Sequence, residues 1–274
     1  MNNTQILHRK IYRLISQFDG KVGIAYNNLT NGDAFSYHAE ERFPTASVIK
    51  LPIMVEVFFQ VKEKKIKLTD ILTYQRKKRA PGSGMLQHLS DGLNLTILDA
   101  TTLMIILSDN TATNLVIDLL GVRNINTRME SLGFKNIKLF KKVFIDKPIV
   151  APKLCKQFGL GMATPCEMNL LLELIYRNKI IDRQSCQQMI AIMQNQFYTS
   201  QLARWISGKE VWVASKGGAV NGVRNDVGII HTPKSDWVLS IFCKQVKDQS
   251  WLLDNQAQVL VAKISKLIFD FYRK

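Results

Sequence analysis

Acidic side chains are scarce in this chain: 22 Asp and Glu stand against 37 Lys and Arg in 274 residues, a formal net charge of +15 at pH 7. Long apolar runs are missing as well. Stretches such as Leu103–Leu107 and Leu170–Leu172 fall far short of the roughly 20 residues that a membrane-crossing helix needs. Cysteine is sparse, and Cys155, Cys166, Cys186 and Cys243 form no C-x-x-C pair and no zinc-like spacing. Buried free thiols are expected rather than disulfides, because a chain of this length can bury about 73% of its unfolded surface and needs no staples. The histidines His8, His38, His88 and His231 show no paired spacing, so no metal and no cofactor is expected. G-x-G-x-x-G, P-loop and G-x-S-x-G patterns are also absent. The N-terminus, M-N-N-T-Q-I-L-H-R-K, breaks its apolar pattern with charges and shows no small-residue cleavage site, which is not the pattern of a signal peptide.

The basic excess comes from three runs, Lys62–Lys67, Arg76–Arg79 and Lys135–Lys142. Phe140 is the one aromatic within them, which is not the interleaving that a single-strand binder uses for stacking. A solvated basic surface is expected and a nucleic-acid partner is not; attraction to anionic cell-surface polymers stays open. With 46% hydrophobic and 22% charged residues, the composition is that of a globular chain.

Periodicity separates the ends from the middle. Leu7, Ile11, Leu14, Ile15 and Phe18 make a helical stripe over residues 4–18. Strand-like segments at 21–29 and 34–38 follow, joined by Asn31-Gly32-Asp33, a hairpin signal. From about Thr45 to Ile192 the pattern is helix and loop. Strands return at 211–215, 226–231 and 237–244, and a last helix carries Leu253, Leu260, Ile264, Leu267, Ile268 and Phe271 at helical spacing. The predicted class is α/β in the α+β sense: an antiparallel sheet from both chain ends, flanked by N- and C-terminal helices, with an inserted all-helical domain. The sheet domain takes residues 1–44 plus 193–274 and the insertion 45–192, with the active site between them.

Three short motifs can carry chemistry. Phe43-Pro-Thr-Ala-Ser-Val-Ile-Lys50 holds the one S-x-x-K of the chain. If a helix begins there, Ser47 lies in its first turn and Lys50 on the same face. The positive end of the helix dipole then favours an oxyanion forming on an attacked carbonyl. A lysine beside that serine in a dry site has its ammonium form disfavoured and can take the serine proton. Alone, the motif also reads as a capping serine with a surface lysine. Ser108-Asp109-Asn110 also reads as a capped helix start, and Lys216-Gly217-Gly218-Ala219 as a turn at a strand end.

In this order and spacing, S-V-I-K at 47, S-D-N at 108 and K-G-G at 216 resemble the three motifs of the class A β-lactamase and penicillin-binding protein superfamily. The similarity extends to Gly82-Ser-Gly84, Asn110-Thr-Ala-Thr-Asn114 and Thr164-Pro165, and so to nearly the whole chain. It implies the same interrupted sheet. It also implies that Ser47 is the acylated nucleophile, Lys50 its proton acceptor or relay, and Ser108 the group that passes a proton to the departing nitrogen. Asn110 would hold the substrate's side-chain amide, and Lys216, on a strand with Gly217 and Gly218, its carboxylate. The backbone N–H groups of Ser47 and Ala219 would form the oxyanion hole. Arg224 either reaches the same carboxylate or pairs with Asp226.

Two features depart from the family pattern. Residues 139–164 contain no Glu, where class A enzymes carry the one that activates the deacylating water. The single carboxylate there, Asp146, is a substitute base or a structural anchor. Gly217 stands where the family has Thr or Ser, so a hydroxyl for the carboxylate is missing. The expected function is a serine acyl-enzyme hydrolase that opens β-lactam amides, or related amides and esters, and deacylates slowly. A penicillin-binding protein-like peptidase or esterase, and a β-lactam receptor without turnover, are the alternatives. The implied partner is a small β-lactam, peptide or ester substrate. The resemblance implies a periplasmic or secreted protein if a leader was removed, and a cytoplasmic one if the chain is complete.

Overall fold

Side-chain alternation decides how the main sheet is faced in the computed structural model, which describes residues 3–273. The elements in chain order are α1 (Asn3–Ser16), β1 (Lys21–Asn28), β2 (Ala34–Tyr37), β3 (Phe43–Pro44), α2 (Lys50–Lys62), β4 (Ile71–Thr73), β5 (Asn94–Thr96), α3 (Ile97–Ile106), α4 (Asn110–Leu120) and α5 (Val122–Ser131). They continue with β6 (Lys138–Leu139), α6 (Pro152–Phe158), β7 (Gly161–Ala163), α7 (Pro165–Tyr176), α8 (Arg183–Gln194), β8 (Trp212–Val220), β9 (Val223–His231), β10 (Asp236–Lys244) and α9 (Gln256–Tyr272). The five-stranded sheet has the order β2-β1-β10-β9-β8 with antiparallel neighbours throughout. Val22, Ile24 and Tyr26 of β1, with Trp237, Leu239 and Ile241 of β10, meet α1 and α9 in one core. Val238 and Phe242 point the other way and join the larger core shared with α2 to α8. That period of two makes one strand serve two cores.

Strands from both chain ends thus meet in one sheet, with α2 to α8 between them in sequence. The intervening stretch is not wholly helical, because β4 pairs with β5, and β3, β7 and β6 form a three-stranded sheet. These strands are two or three residues long, too short to show a periodicity. β8 runs past the predicted end at Ser215 as far as Val220, so Lys216-Gly-Gly-Ala lies inside a strand rather than in a turn. Pairing with β9 carries it on, with Lys216 opposite Val227 and Ala219 opposite Arg224. The last helix begins later than expected, since Asn255 caps it by accepting from the Ala257 and Gln258 N–H groups. Leu253 lies ahead of that cap. All four cysteines are free, with Cys155, Cys186 and Cys243 buried. No described helix is long and apolar enough to cross a membrane.

Candidate active site

Ser47 sits on a strained turn that neighbouring strands hold in place. Ala46, just before it, has φ +46°, a left-handed backbone that costs an alanine about 1 kcal/mol. A 3-10 turn over Ala46–Ile49 then leads into α2 at Lys50. The Asn225 side-chain amide donates to the carbonyls of Pro44 and Thr45 at 2.8 and 3.1 Å, and the Thr45 N–H to that of Gly161 at 3.0 Å. Gly218 completes the clamp. A Cβ there would lie 2.6 Å from the Thr45 carbonyl oxygen and 2.8 Å from the Ser47 nitrogen, so glycine is needed for β8 to come this close. The approach brings the backbone of Ala219 alongside Ser47.

Lys50 is buried one turn below, with its Nζ 2.7 Å from the Ser108 carbonyl, 3.1 Å from Ser108 Oγ and 2.9 Å from Asn110 Oδ1. Burial, and then the nearby Lys216 charge, hold its pKa well below the ordinary lysine value, while Asp109 opposes this. Lys50 Nζ donates to all three neighbours, the Ser108 carbonyl, the Ser108 hydroxyl and Asn110 Oδ1. Its hydrogen bonds go to Ser108 and Asn110 and none to Ser47.

The S-D-N segment serves the fold and the site together. Ser108 has φ +51°. Asp109 caps α4 by accepting from the Ala112 N–H at 2.8 Å, and its other oxygen accepts from the Leu86 N–H at 2.7 Å. Gly84, with φ +109°, packs so tightly that a Cβ would lie 2.3 Å from the Asp109 carboxyl carbon. Asn110 then projects toward Lys50 and donates to the Pro81 carbonyl at 2.8 Å.

Across the cleft, Lys216 is 1% exposed and donates to the Gly217 carbonyl at 2.8 Å. Burial pushes its pKa down to about 8, against the pull of Asp226. Asp226 is buried in turn, and this pushes it up to about 7 against the Leu202 N–H and Lys216. Arg224 does not pair with Asp226, whose carboxylate accepts from the Leu202 N–H at 3.0 Å. Its guanidinium donates instead to the carbonyls of Val220, Val223 and Ser250 at 2.6–2.8 Å, with the Trp251 ring 4.5 Å away.

Ser47, Ser108, Lys216–Ala219 and Arg224 line one cavity of about 480 Å³, within the range of small-molecule sites. Lys50 and Asn110 adjoin it through Ser108. Tyr198, Gln201 and Trp251 complete the walls, and the sequence motifs do not point to them. Gln201 takes the room beside Gly217, where a Cβ would be 3.2 Å from its Nε2. Among the described residues, no Asp or Glu lines the cavity. Asp146 is placed elsewhere: its side chain is fully exposed and lies 3.8 Å from Lys141, because its loop is tethered through other residues. Asn114 donates to the Val143 carbonyl at 3.0 Å and accepts from its N–H at 2.8 Å, leaving Asp146 on the outer side.

The model of the beta-lactamase enzyme family matches residues 6–272. The chain belongs to that family. β-Lactamase VEB-1 of Pseudomonas aeruginosa is 25% identical over 98% of this chain and 91% of its own length. The crystal structure of a β-lactamase from Sphaerobacter thermophilus is 29% identical, with a TM-score of 0.86 and coverage of 98% and 97%. PBP-A is 26% identical, with a TM-score of 0.83 and coverage of 98% and 96%. A leucine-to-glutamate mutant of PBP-A was solved as an acyl-enzyme complex with penicillin G. The chain is therefore a β-lactamase-like serine hydrolase by family, and its main sheet and helical layers are those of its relatives.

Proposed function

We propose that Ser47 opens β-lactams by forming an acyl-enzyme, and that this ester is hydrolysed slowly. One observation carries the reading. A buried lysine with a depressed pKa bonds to Ser108 beside a cavity that Ser47 lines and no described carboxylate does. Ser47 Oγ attacks the ring carbonyl and its proton passes to Lys50. The developing oxyanion faces the backbone N–H groups of Ser47 and Ala219. Lys50 returns the proton through Ser108 to the ring nitrogen as the C–N bond breaks. Lys216 and Arg224 hold the substrate carboxylate, and Asn110 its side-chain amide. Clearing the ester requires a positioned, deprotonated water, and general-base help of this kind typically contributes about 10²–10⁴-fold.

Intact-mass spectrometry after mixing with benzylpenicillin tests this directly. A one-equivalent adduct that persists, absent in Ser47→Ala, is the expected result. Rapid turnover without an adduct, or a label on Ser83 or Ser108, would refute it. The likeness to PBP-A favours a second reading, a penicillin-binding protein-like peptidase, which turnover of a D-alanyl peptide faster than nitrocefin would identify.

A further inference from the structure

Large apolar side chains usually leave water, and two loops at the edge of the cleft hold theirs in it. Phe197, Leu253, Trp251 and Leu252 are the four most exposed large apolar residues among the described ones, each between 65% and 71%. All four lie on the loops 197–206 and 250–255, where Tyr198 and Trp205 are exposed as well. Tyr198, Trp251 and Leu253 line the same cavity, and Arg204 donates across to the Leu253 carbonyl at 2.5 Å. The two loops therefore make one apolar patch beside the cleft mouth.

The backbone holds these side chains outward. The Ser250 carbonyl accepts from Arg224 and Asn255 at 2.6 and 3.0 Å, and the Leu252 carbonyl from Gln258 at 2.9 Å. The Phe197 N–H donates to the Ile106 carbonyl at 3.1 Å, and the Tyr198 N–H to Gln196 Oε1 at 3.1 Å. An apolar cluster kept in water on a tied frame marks an interaction surface.

Charge and side-chain type narrow the partner. A second copy would bring another +15 against the first. A nucleic acid would stack on the aromatic rings and leave the adjacent Leu252 and Leu253 in water. Trp and Tyr beside leucines suit the boundary between lipid headgroups and acyl chains. On and next to the loops, Arg204 and Lys209 are offset by Glu210 and Asp254. Beyond them, Lys77 and Arg79 have no ion-pair partner among the described residues. They lie six and four residues before Ser83, whose hydroxyl is 3.4 Å from that of Tyr198, and cations so placed favour an anionic surface.

We propose that these two loops dock the protein on an anionic lipid surface, with Phe197, Trp251, Leu252 and Leu253 entering the headgroup region. The cleft mouth then opens beside that surface. The docking does not depend on the acylation of Ser47.

Co-sedimentation with vesicles of equal parts phosphatidylglycerol and phosphatidylcholine tests this, next to vesicles of phosphatidylcholine alone. The protein should bind the mixed vesicles, more weakly at high salt and on the neutral ones, and its tryptophan emission should shift to the blue. Phe197→Ser/Leu252→Ser, at two exposed positions that do not line the cavity, should weaken binding about tenfold or more with an unchanged Tm. Ile71→Ser/Leu170→Ser, which removes exposed apolar groups from β4 and α7, should bind as the parent does. Absence of binding to the mixed vesicles overturns the proposal. Binding that the loop variant retains also overturns it, by assigning attachment to the basic surface alone, as does an equal loss in both variants. A lipid-free dimer that the loop variant dissociates would assign the patch to a second copy and overturn it too.

Discussion

Raising the pH from 7 to 9 should separate substrates by whether they carry a carboxylate. The perturbation acts on Lys216, whose burial leaves it a pKa of about 8. It is about nine-tenths ammonium at pH 7 and about one-tenth at pH 9, so the charge that meets the carboxylate falls roughly tenfold. Burial and the Lys216 charge hold the Lys50 pKa below the ordinary value, and any change at Lys50 as Lys216 loses its charge acts on every acylation alike. The difference between substrates therefore comes from Lys216, whose deprotonation removes the charge proposed to anchor the carboxylate. Arg224 stays charged and sets a floor to the loss.

The assay is the second-order acylation rate constant at pH 7, 8 and 9 for benzylpenicillin and for a neutral p-nitrophenyl ester, each corrected for spontaneous hydrolysis. That constant reports groups of the free enzyme, so substrate-induced shifts do not obscure it. Penicillin should lose between about three- and tenfold relative to the ester. Lys216→Arg, which cannot deprotonate in this range, should flatten the penicillin profile. Parallel profiles for the two substrates would refute the assignment of Lys216 as the carboxylate anchor.

Gly217→Thr should restore a hydrogen bond to a charged group, worth roughly 1.5–3 kcal/mol, and raise penicillin kcat/KM at least tenfold once the Gln201 amide gives way by a few tenths of an ångström. Unchanged kcat/KM with an intact fold would place the carboxylate elsewhere. Asp146→Asn should change neither adduct lifetime nor, beyond about 0.5 kcal/mol, stability, since Asp146 is fully exposed; a longer-lived adduct by mass spectrometry would contradict this.

What is legible in the sequence depends on whether a residue acts through its own local pattern. The alternation in β1 and β10 and the stripes of α1 and α9 show directly which faces are buried, so the sheet and its flanking helices can be read from them. Ser47, Lys50 and Ser108 are legible for a different reason, their spacing within family motifs. Gln201, Trp251 and Asn225 are not, because each reaches the site only through tertiary contacts. Asn225 clamps Pro44 and Thr45 across the fold, and no run of neighbouring residues encodes that. Leu253 misleads for a similar reason: its spacing continues the helical stripe of α9, but the Asn255 cap stops the helix before it. Arg224 and Asp226 share a strand two residues apart, and only the carbonyls around Arg224 decide that they do not pair.

The two buried lysines supply a physical reason for the proposed imbalance between acylation and deacylation. The Lys216 charge lowers the Lys50 pKa, so a Lys50 that accepts the Ser47 proton becomes a second ammonium beside the first, and that state is costly in a dry cavity. During ring opening it is relieved at once, because Ser108, bonded to Lys50 at 3.1 Å, can pass the proton to the departing nitrogen. In the acyl-enzyme that nitrogen already holds its proton, so the same exit is closed. A water attacking the ester must then hand its proton to Lys50 against the Lys216 field. A carboxylate would become neutral on accepting that proton and would avoid the repulsion, but no described one lines the cavity. The charge that makes Lys50 a good base for the serine thus makes it a poor one for the water.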